Sequence, residues 1–247
     1  MTYILDGECY LNDDGNLVTI GLDCDCESPR EWEYNMGTFY TWMHNHMSPD
    51  DNDFDGFDDL GASFGITCDD NPGQFITKFN EKVGVCMPVY AIVHSGTVYH
   101  ASWSNPFHDP WDSGFVGVIF ATKERIRELR CVKRVTKKVR HAVVEELMSE
   151  VELYSEWAEG SCYGFTTYDK NGDEVDSCWG FIGCDADKSG LAEECGGLKD
   201  CEYRSLDEFL EAVDALNELE NGAVDALNEL TNEVLDSMTA QYEQYAA

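Results

Sequence analysis

The sequence predicts an α+β protein, with small antiparallel sheets packed with helices and an acidic C-terminal helix or helical hairpin. Three observations predict it. β-like runs flank turn signals at Asn12–Asn16, Ser95-Gly96 and Asn171-Gly172. Apolar residues recur at helical spacing between Thr136 and Glu159. A capping-box pattern, Ser205-Leu206-Asp207-Glu208, opens a tail that contains the same seven-residue phrase twice.

In chain order, Tyr3-Ile4-Leu5 and Leu17-Val18-Thr19-Ile20 flank Asn12-Asp13-Asp14-Gly15-Asn16 and read as a hairpin. Ser48 to Asp59 is dominated by Asp, Asn, Pro and Gly and reads as a loop. Residues 86–103 read as two strands around Ser95-Gly96, and Phe115 to Ala121 as a buried strand. Lys123 to Glu128 opens a short helix. The run Val139, Val143, Leu147, Val151 and Tyr154 marks a longer one that Gly160 ends. Aromatic-rich segments on both sides of Asn171-Gly172 form the strongest short hairpin signal.

In the tail, Val213-Asp-Ala-Leu-Asn-Glu-Leu219 recurs as Val224-Asp-Ala-Leu-Asn-Glu-Leu230. An offset of 11 residues is close to three helical turns, so one continuous helix keeps both copies on one face. Asn221-Gly222 between them is the alternative break into a helical hairpin. Composition divides the chain into an acidic region 1–85, an α+β core region 86–203 and an acidic helical segment 204–247.

Charge is the feature that any function must explain. The chain has 49 Asp+Glu against 16 Lys+Arg, a formal net charge of −33 over 247 residues. Two acidic regions flank one basic stretch, Lys123 to Arg140. A field of that sign repels nucleic acid and anionic membrane and attracts proteins built to hold nucleic acid. Hydrophobic content of 43 % and aromatic content of 12 % require a folded core and argue against a disordered acidic tail. A salt-adapted surface is the bland alternative; nine Lys against seven Arg, and 11 Cys, argue against it. No stretch reaches the ~18 apolar residues of a membrane span. Met1–Tyr10 lacks a basic and an apolar region of a secretion signal, so the cysteines are expected as reduced thiols in a cytosol.

Asp51-Asn52-Asp53-Phe54-Asp55-Gly56 matches the first half of an EF-hand calcium loop, with Asp59 at position nine. The closing position is Ala62, which has no ligand atom, and position eight is Asp58. No cofactor is expected beyond this incomplete calcium candidate at Asp51, Asp53, Asp55 and Asp59. Otherwise the loop offers Asp50, Asp51, Asp53, Asp55, Asp58 and Asp59 as one negative patch. Cys24-Asp25-Cys26 and His44-Asn45-His46 are poorer starts for a metal site, because zinc pairs prefer wider spacing. No nucleophile elbow, Walker loop or His-Glu-x-x-His motif is present, and no catalytic residue is assigned. The basic stretch reads as neutralising acidic elements of this chain or of a second copy, rather than as a nucleic-acid reader.

Asn105-Pro106-Phe107-His108-Asp109-Pro110-Trp111-Asp112-Ser113-Gly114, a small apolar strand and Thr122-Lys123-Glu124 form one motif. Asp176-Ser177-Cys178-Trp179-Gly180-Phe181 forms a second, after Gly160 and Tyr163-Gly164. Together, over roughly residues 86–184, they resemble a family of uncharacterised bacteriophage and mobile-element proteins. That family's pattern commonly has a Cys before Pro-Trp-Asp-Ser-Gly, where this chain has Asp109. The resemblance implies an origin in a phage or other mobile element and no mechanism. Physically, Trp111, Asp112, Ser113, Gly114, Asp176, Cys178 and Trp179 read as turn and strand-edge structure. In that reading Asp112 caps a turn and Gly114 supplies a positive φ.

The expected function is a phage-encoded acidic anti-defence protein in the host cytoplasm. It binds and inhibits a host nucleic-acid-binding defence complex, of restriction or CRISPR type, by placing carboxylates where that complex expects phosphates. The expected partner-binding residues are Asp50, Asp51, Asp53, Asp55, Asp58 and Asp59 in the loop, and Asp207, Glu208, Glu211, Asp214, Glu218, Asp225 and Glu229 in the tail. A second copy of the chain is a further candidate partner; direct binding to nucleic acid or membrane is not expected. The alternatives are a metal-dependent enzyme and an acidic adaptor of a phage or mobile element.

Overall fold

The computed structural model describes residues 2–43, 47–94 and 96–246, of which 233–246 are described as helical backbone only. The strands are β1 (Cys9–Leu11), β2 (Leu17–Leu22), β3 (Thr38–Thr41), β4 (Gly84–Val93), β5 (Thr97–Ala101), β6 (Ser113–Thr122), β7 (Cys162–Tyr168), β8 (Glu174–Ile182) and β9 (Lys199–Asp200). The helices are α1 (Phe57–Ser63), α2 (Pro72–Lys82), α3 (Lys123–Arg130), α4 (Lys137–Ala158), α5 (Ala186–Ser189), α6 (Leu191–Glu194) and α7 (Leu206–Ala246). The α+β class is as the sequence predicts. Among the described residues no helix is long and apolar enough to cross a membrane.

The chain forms two compact units from non-consecutive stretches: Asp23–Tyr163 with Gly180–Cys184, and Met1–Leu22 with Gly164–Trp179 and Asp185–Ala247. The regions 1–85, 86–203 and 204–247 are compositional and consecutive, whereas the compact units are spatial.

The unit built on Asp23–Tyr163 is a four-stranded sheet in the order β3-β6-β4-β5. Its neighbouring strands pair antiparallel. Successive side chains of a strand point to opposite faces, and here both faces are covered. Val85, Met87 and Val89 of β4 and Ile119 and Ala121 of β6 join Val143, Leu147, Val151 and Tyr154 of α4 in one core. Cys86 of β4 and Val118 and Phe120 of β6 join Phe57 and Leu60 of α1 and Phe75 and Phe79 of α2 in another. Double burial explains why β4 and β6 read as continuous apolar runs rather than alternating ones.

Pro88 sits in β4 opposite Val118, a poor place for a residue without an N–H. Its carbonyl accepts from the Ser102 N–H just past the end of β5, so the missing N–H faces that side and costs β6 no ladder bond; a register shift lies between Val89 and Tyr90. Helix α4 begins where Thr136 accepts from the Val139 N–H, and Gly160 just past its end has φ +78°. Its buried Ser155 hydroxyl accepts from the Tyr99 N–H at 2.8 Å, tying the helix to β5.

In the other unit the strand order is β8-β7-β2-β1-β9. The turn at Asn12–Asn16 forms as expected, with the Asn12 carboxamide accepting from Asp14 and Asn16. The strand before it, however, is Cys9–Leu11 and not Tyr3–Leu5. A five-residue turn pairs Leu11 directly with Leu17, and Gly7 (φ +81°) has already redirected the chain. Tyr3 makes one isolated bridge to Asp185 instead. The Asn171-Gly172 hairpin joins β7 to β8 as predicted.

Helix α7 starts at the predicted N-cap, and the reciprocal bond of the box falls one residue earlier than expected. Ser205 accepts from the Glu208 N–H at 3.3 Å, and Glu208 reaches back to the Arg204 N–H at 2.8 Å. Asn221-Gly222 does not break it; the helix is continuous. Phe209 is buried and stacks edge-on against Tyr203 at 5.4 Å, which anchors the first turns.

Candidate functional site

The acidic residues of α7 form an extended charged row. Asp207, Glu208, Glu211, Asp214, Glu218, Asp225 and Glu229 are all exposed. At 100° per residue, six of them (all but Glu208) fall within an arc of about 60°. At 1.5 Å per residue they run along about 33 Å. No Lys or Arg occurs anywhere in 205–247, so nothing on the helix neutralises them. The helix N-terminus favours Asp207 and Glu208 in particular.

The loop residues do not act as one patch. Asp50 faces inward. Its carboxylate takes two contacts of 2.8 Å from Arg30 and accepts from the Phe39 N–H at 2.7 Å. Arg30 also donates to Glu150 at 3.0 Å and to the Gly37 carbonyl at 2.6 Å, and its side chain is 4 % exposed. Asp50 therefore holds the core, and its expected role as a partner contact is corrected: a buried guanidinium needs its carboxylates more than the surface does.

Asp51, Asp53, Asp55 and Asp59 are exposed and Asp58 is half-buried. Helix α1 begins at Phe57, so Asp58 and Asp59 are helical rather than in the loop. Asp58 is engaged locally. Backbone donation from Asp70 and Cys68 holds its carboxyl below the usual range, and Asp70 in turn accepts from the Asp58 N–H at 3.0 Å.

An early helix start also changes the calcium candidate, since Ala62 at the closing position lies within α1. No three of the carboxylates of Asp51, Asp53, Asp55 and Asp59 bring oxygen atoms within 4.8 Å of one another. The one such group among the described residues is His94, Asp109 and Asp112, which sequence reasoning missed. Strand pairing explains it. Ile92 pairs with Ser113 and the Val93 N–H donates to the Asp112 carbonyl, which sets His94 beside Asp112 at 3.3 Å. Asp109 accepts from the Trp111 and Asp112 N–H groups, which hold its carboxyl below the usual range. The group is thus accounted for by a turn and a surface pair. His44 and His46 lie outside the described residues.

The same geometry revises the motif roles. Asp109, not Asp112, caps the turn, and the Ser113 hydroxyl donates to the Asp109 carbonyl. Gly114 is an ordinary β6 residue paired with Ala91 and has no positive φ. Trp111 is 92 % exposed. Asp176 is exposed and Cys178 half-buried on β8. The Trp179 ring lies over Gly164, where a Cβ would overlap it, and against Gly21. Those two glycines leave the space that the indole fills.

The basic stretch neutralises acidic residues only in part: Arg125, Arg127 and Arg130 pair with Glu128, Glu124 and Glu146, while Lys133, Arg134, Lys137 and Lys138 are exposed. Arg125 donates to the Glu33 and Asn35 carbonyls, Arg140 to the Gly84 carbonyl and Asn80, and Arg127 pairs with Glu124 at 3.0 Å. Much of it serves backbone carbonyls, a use that charge counting does not reveal.

Comparison with protein-family models, with curated proteins and with solved structures found no match to this chain. The functional reading therefore rests on charge and geometry, and the expected origin on the motif resemblance alone.

Proposed function

We propose that this chain is an acidic decoy of phage or mobile-element origin. It binds a host nucleic-acid-binding defence complex through the carboxylate face of α7 and blocks the groove that would hold nucleic acid. One observation carries the reading. The six carboxylates of the acidic arc run along the helix with no cation among them, roughly one charge per 6 Å, an unneutralised negative row for a groove that otherwise holds phosphates. The exposed Asp51, Asp53, Asp55 and Asp59 add negative field, and Asp50 does not take part.

The experiment is capture from host lysate with the intact chain as bait, repeated with duplex DNA as competitor. A basic nucleic-acid-binding protein released by DNA supports the reading. Capture of partners indifferent to DNA, or of none, removes it and favours an adaptor or metal-dependent role.

A further inference from the structure

Cys9 and Cys201 are 192 residues apart in sequence and meet at one edge of a sheet. Strand β9 pairs antiparallel with β1, with Tyr10 opposite Asp200 and Leu11 opposite Lys199. One step further along, that register sets Cys201 opposite Cys9. The side chains agree with it. The Cys201 thiol donates to the Cys9 carbonyl at 3.4 Å, and both cysteines line one cleft of about 390 Å³ with Glu8, Asp200 and Tyr203. Burial, then the neighbouring Cys201 thiol, holds the Cys9 thiol above its ordinary value of 9.0.

Opposed residues of antiparallel strands have Cα atoms about 4.5–5.5 Å apart and side chains on one face. A disulfide spans about 4.4–6.8 Å between Cα atoms. Rotation of the two side chains therefore closes this pair without moving the backbone. Both are free thiols and only half-buried, so a reagent that enters the cleft reaches them. Cys26 and Cys162 also touch, through a hydrogen bond, but Cys162 is 2 % exposed and out of reach of a dissolved oxidant.

Position gives such a bond a consequence. Strand β9 is a two-residue edge strand, and a strand so short is weakly held by its own ladder. It leads into α7: the Cys201 thiol also lies 3.6 Å from the carbonyl of Tyr203, which stacks on Phe209, and Ser205 then caps the helix.

We propose that Cys9 and Cys201 are a redox clasp, a reversible disulfide that pins the root of α7. The oxidant is a small-molecule disulfide such as oxidised glutathione. The thiolate of one cysteine attacks it, forms a mixed disulfide and expels one glutathione thiolate. The thiolate of the second cysteine attacks the protein sulfur of that mixed disulfide, closes the Cys9–Cys201 bond and expels the other. The two protons and two electrons that the cysteines lose end on two molecules of glutathione. The proposal stands apart from the decoy reading, because the bond closes whether or not α7 binds a host complex.

The test is incubation of the full chain with oxidised glutathione, native and in urea, followed by alkylation and non-reducing peptide mapping. The expected result is a peptide pair joined through Cys9 and Cys201, at least ~10-fold more abundant from the native chain, because only the fold brings the ends of so long a loop together. Hydrogen exchange of the amides in 199–209 then slows at least ~10-fold in the oxidised chain and recovers with dithiothreitol. The Cys201→Ser variant, treated alike, shows no slowing. Cys9 and Cys201 left unjoined, whether free or each carrying glutathione, or joined equally in urea, would overturn the bond. A bond that leaves exchange in 199–209 unchanged would overturn the clasp.

Discussion

Arg30 and Asp50 are 20 residues apart in sequence and share two hydrogen bonds of 2.8 Å in the interior of their unit. Glu150 completes the set from α4 and also accepts from the Met36 and Gly37 N–H groups. The lobe between β3 and α4 is held by a satisfied ionic network rather than by apolar contact alone. Breaking such a network from one side leaves a buried charge without a partner. Arg30→Ala is therefore expected to cost about 3–5 kcal/mol in denaturant unfolding. Asp50→Asn lowers stability and leaves binding by α7 unchanged.

Burial raises the Glu150 carboxyl above its usual value of 4.5, against the opposing pull of Arg30 and the backbone N–H groups. A raised folded-state pKa means that the proton-linked stability is present at low pH and lost as pH rises through the folded value. The penalty of Glu150→Gln, measured by urea unfolding, should thus shrink between about pH 4 and pH 7. A penalty that grows over this range would reverse the assignment.

Burial pushes the Cys162 thiol up to about 12, reinforced by a hydrogen bond with Cys26, and burial pushes Cys68 and Cys195 up to about 11. These thiols support the fold below the ordinary thiol value of 9.0 and lose that contribution as pH rises through 11–12. Alkylation of the native protein at mildly alkaline pH should modify the exposed Cys24 and Cys131 and spare these three. Early modification of Cys162 would contradict the burial described here.

Gly164→Ala places a methyl group where the Trp179 ring lies. Overpacking of this kind costs about 1–3 kcal/mol. The indole is then displaced from Gly21 as well, and a lower midpoint in denaturant unfolding is the expected outcome. An unchanged unfolding midpoint would mean that Trp179 does not lie over Gly164 as described.

Elements with a local periodic signal were legible in the sequence. Helix α4 followed from Val143, Leu147, Val151 and Tyr154, and the start of α7 from Ser205 and Glu208. Helix α1 was hidden because the Asp-rich composition of 48–59 overlaps its first turn, and Phe57 and Leu60 make too short a period to show. The start of α2 was written in Asn71-Pro72, an N-cap followed by Pro at the first helical position. The Arg30 network left little trace, since its members are 20 and 120 residues apart. The one available clue is that Arg30 is among only three cations in the first 100 residues, where a cation is apt to be claimed by the interior. Pairing of Ile92 with Ser113, which brings His94 to Asp112, is likewise a register fact that spacing along the chain does not contain.

The central claim is that the acidic face of α7 grips a cationic groove. The most direct measurement is the affinity for the captured host complex against salt, for the natural chain and for a variant. The variant carries Asp207→Asn, Glu211→Gln, Asp214→Asn, Glu218→Gln, Asp225→Asn and Glu229→Gln. The account predicts affinity that falls steeply as salt rises, and a variant that binds far more weakly with a shallower slope. Affinity that survives about 0.5 M salt, or is the same in both proteins, would contradict it.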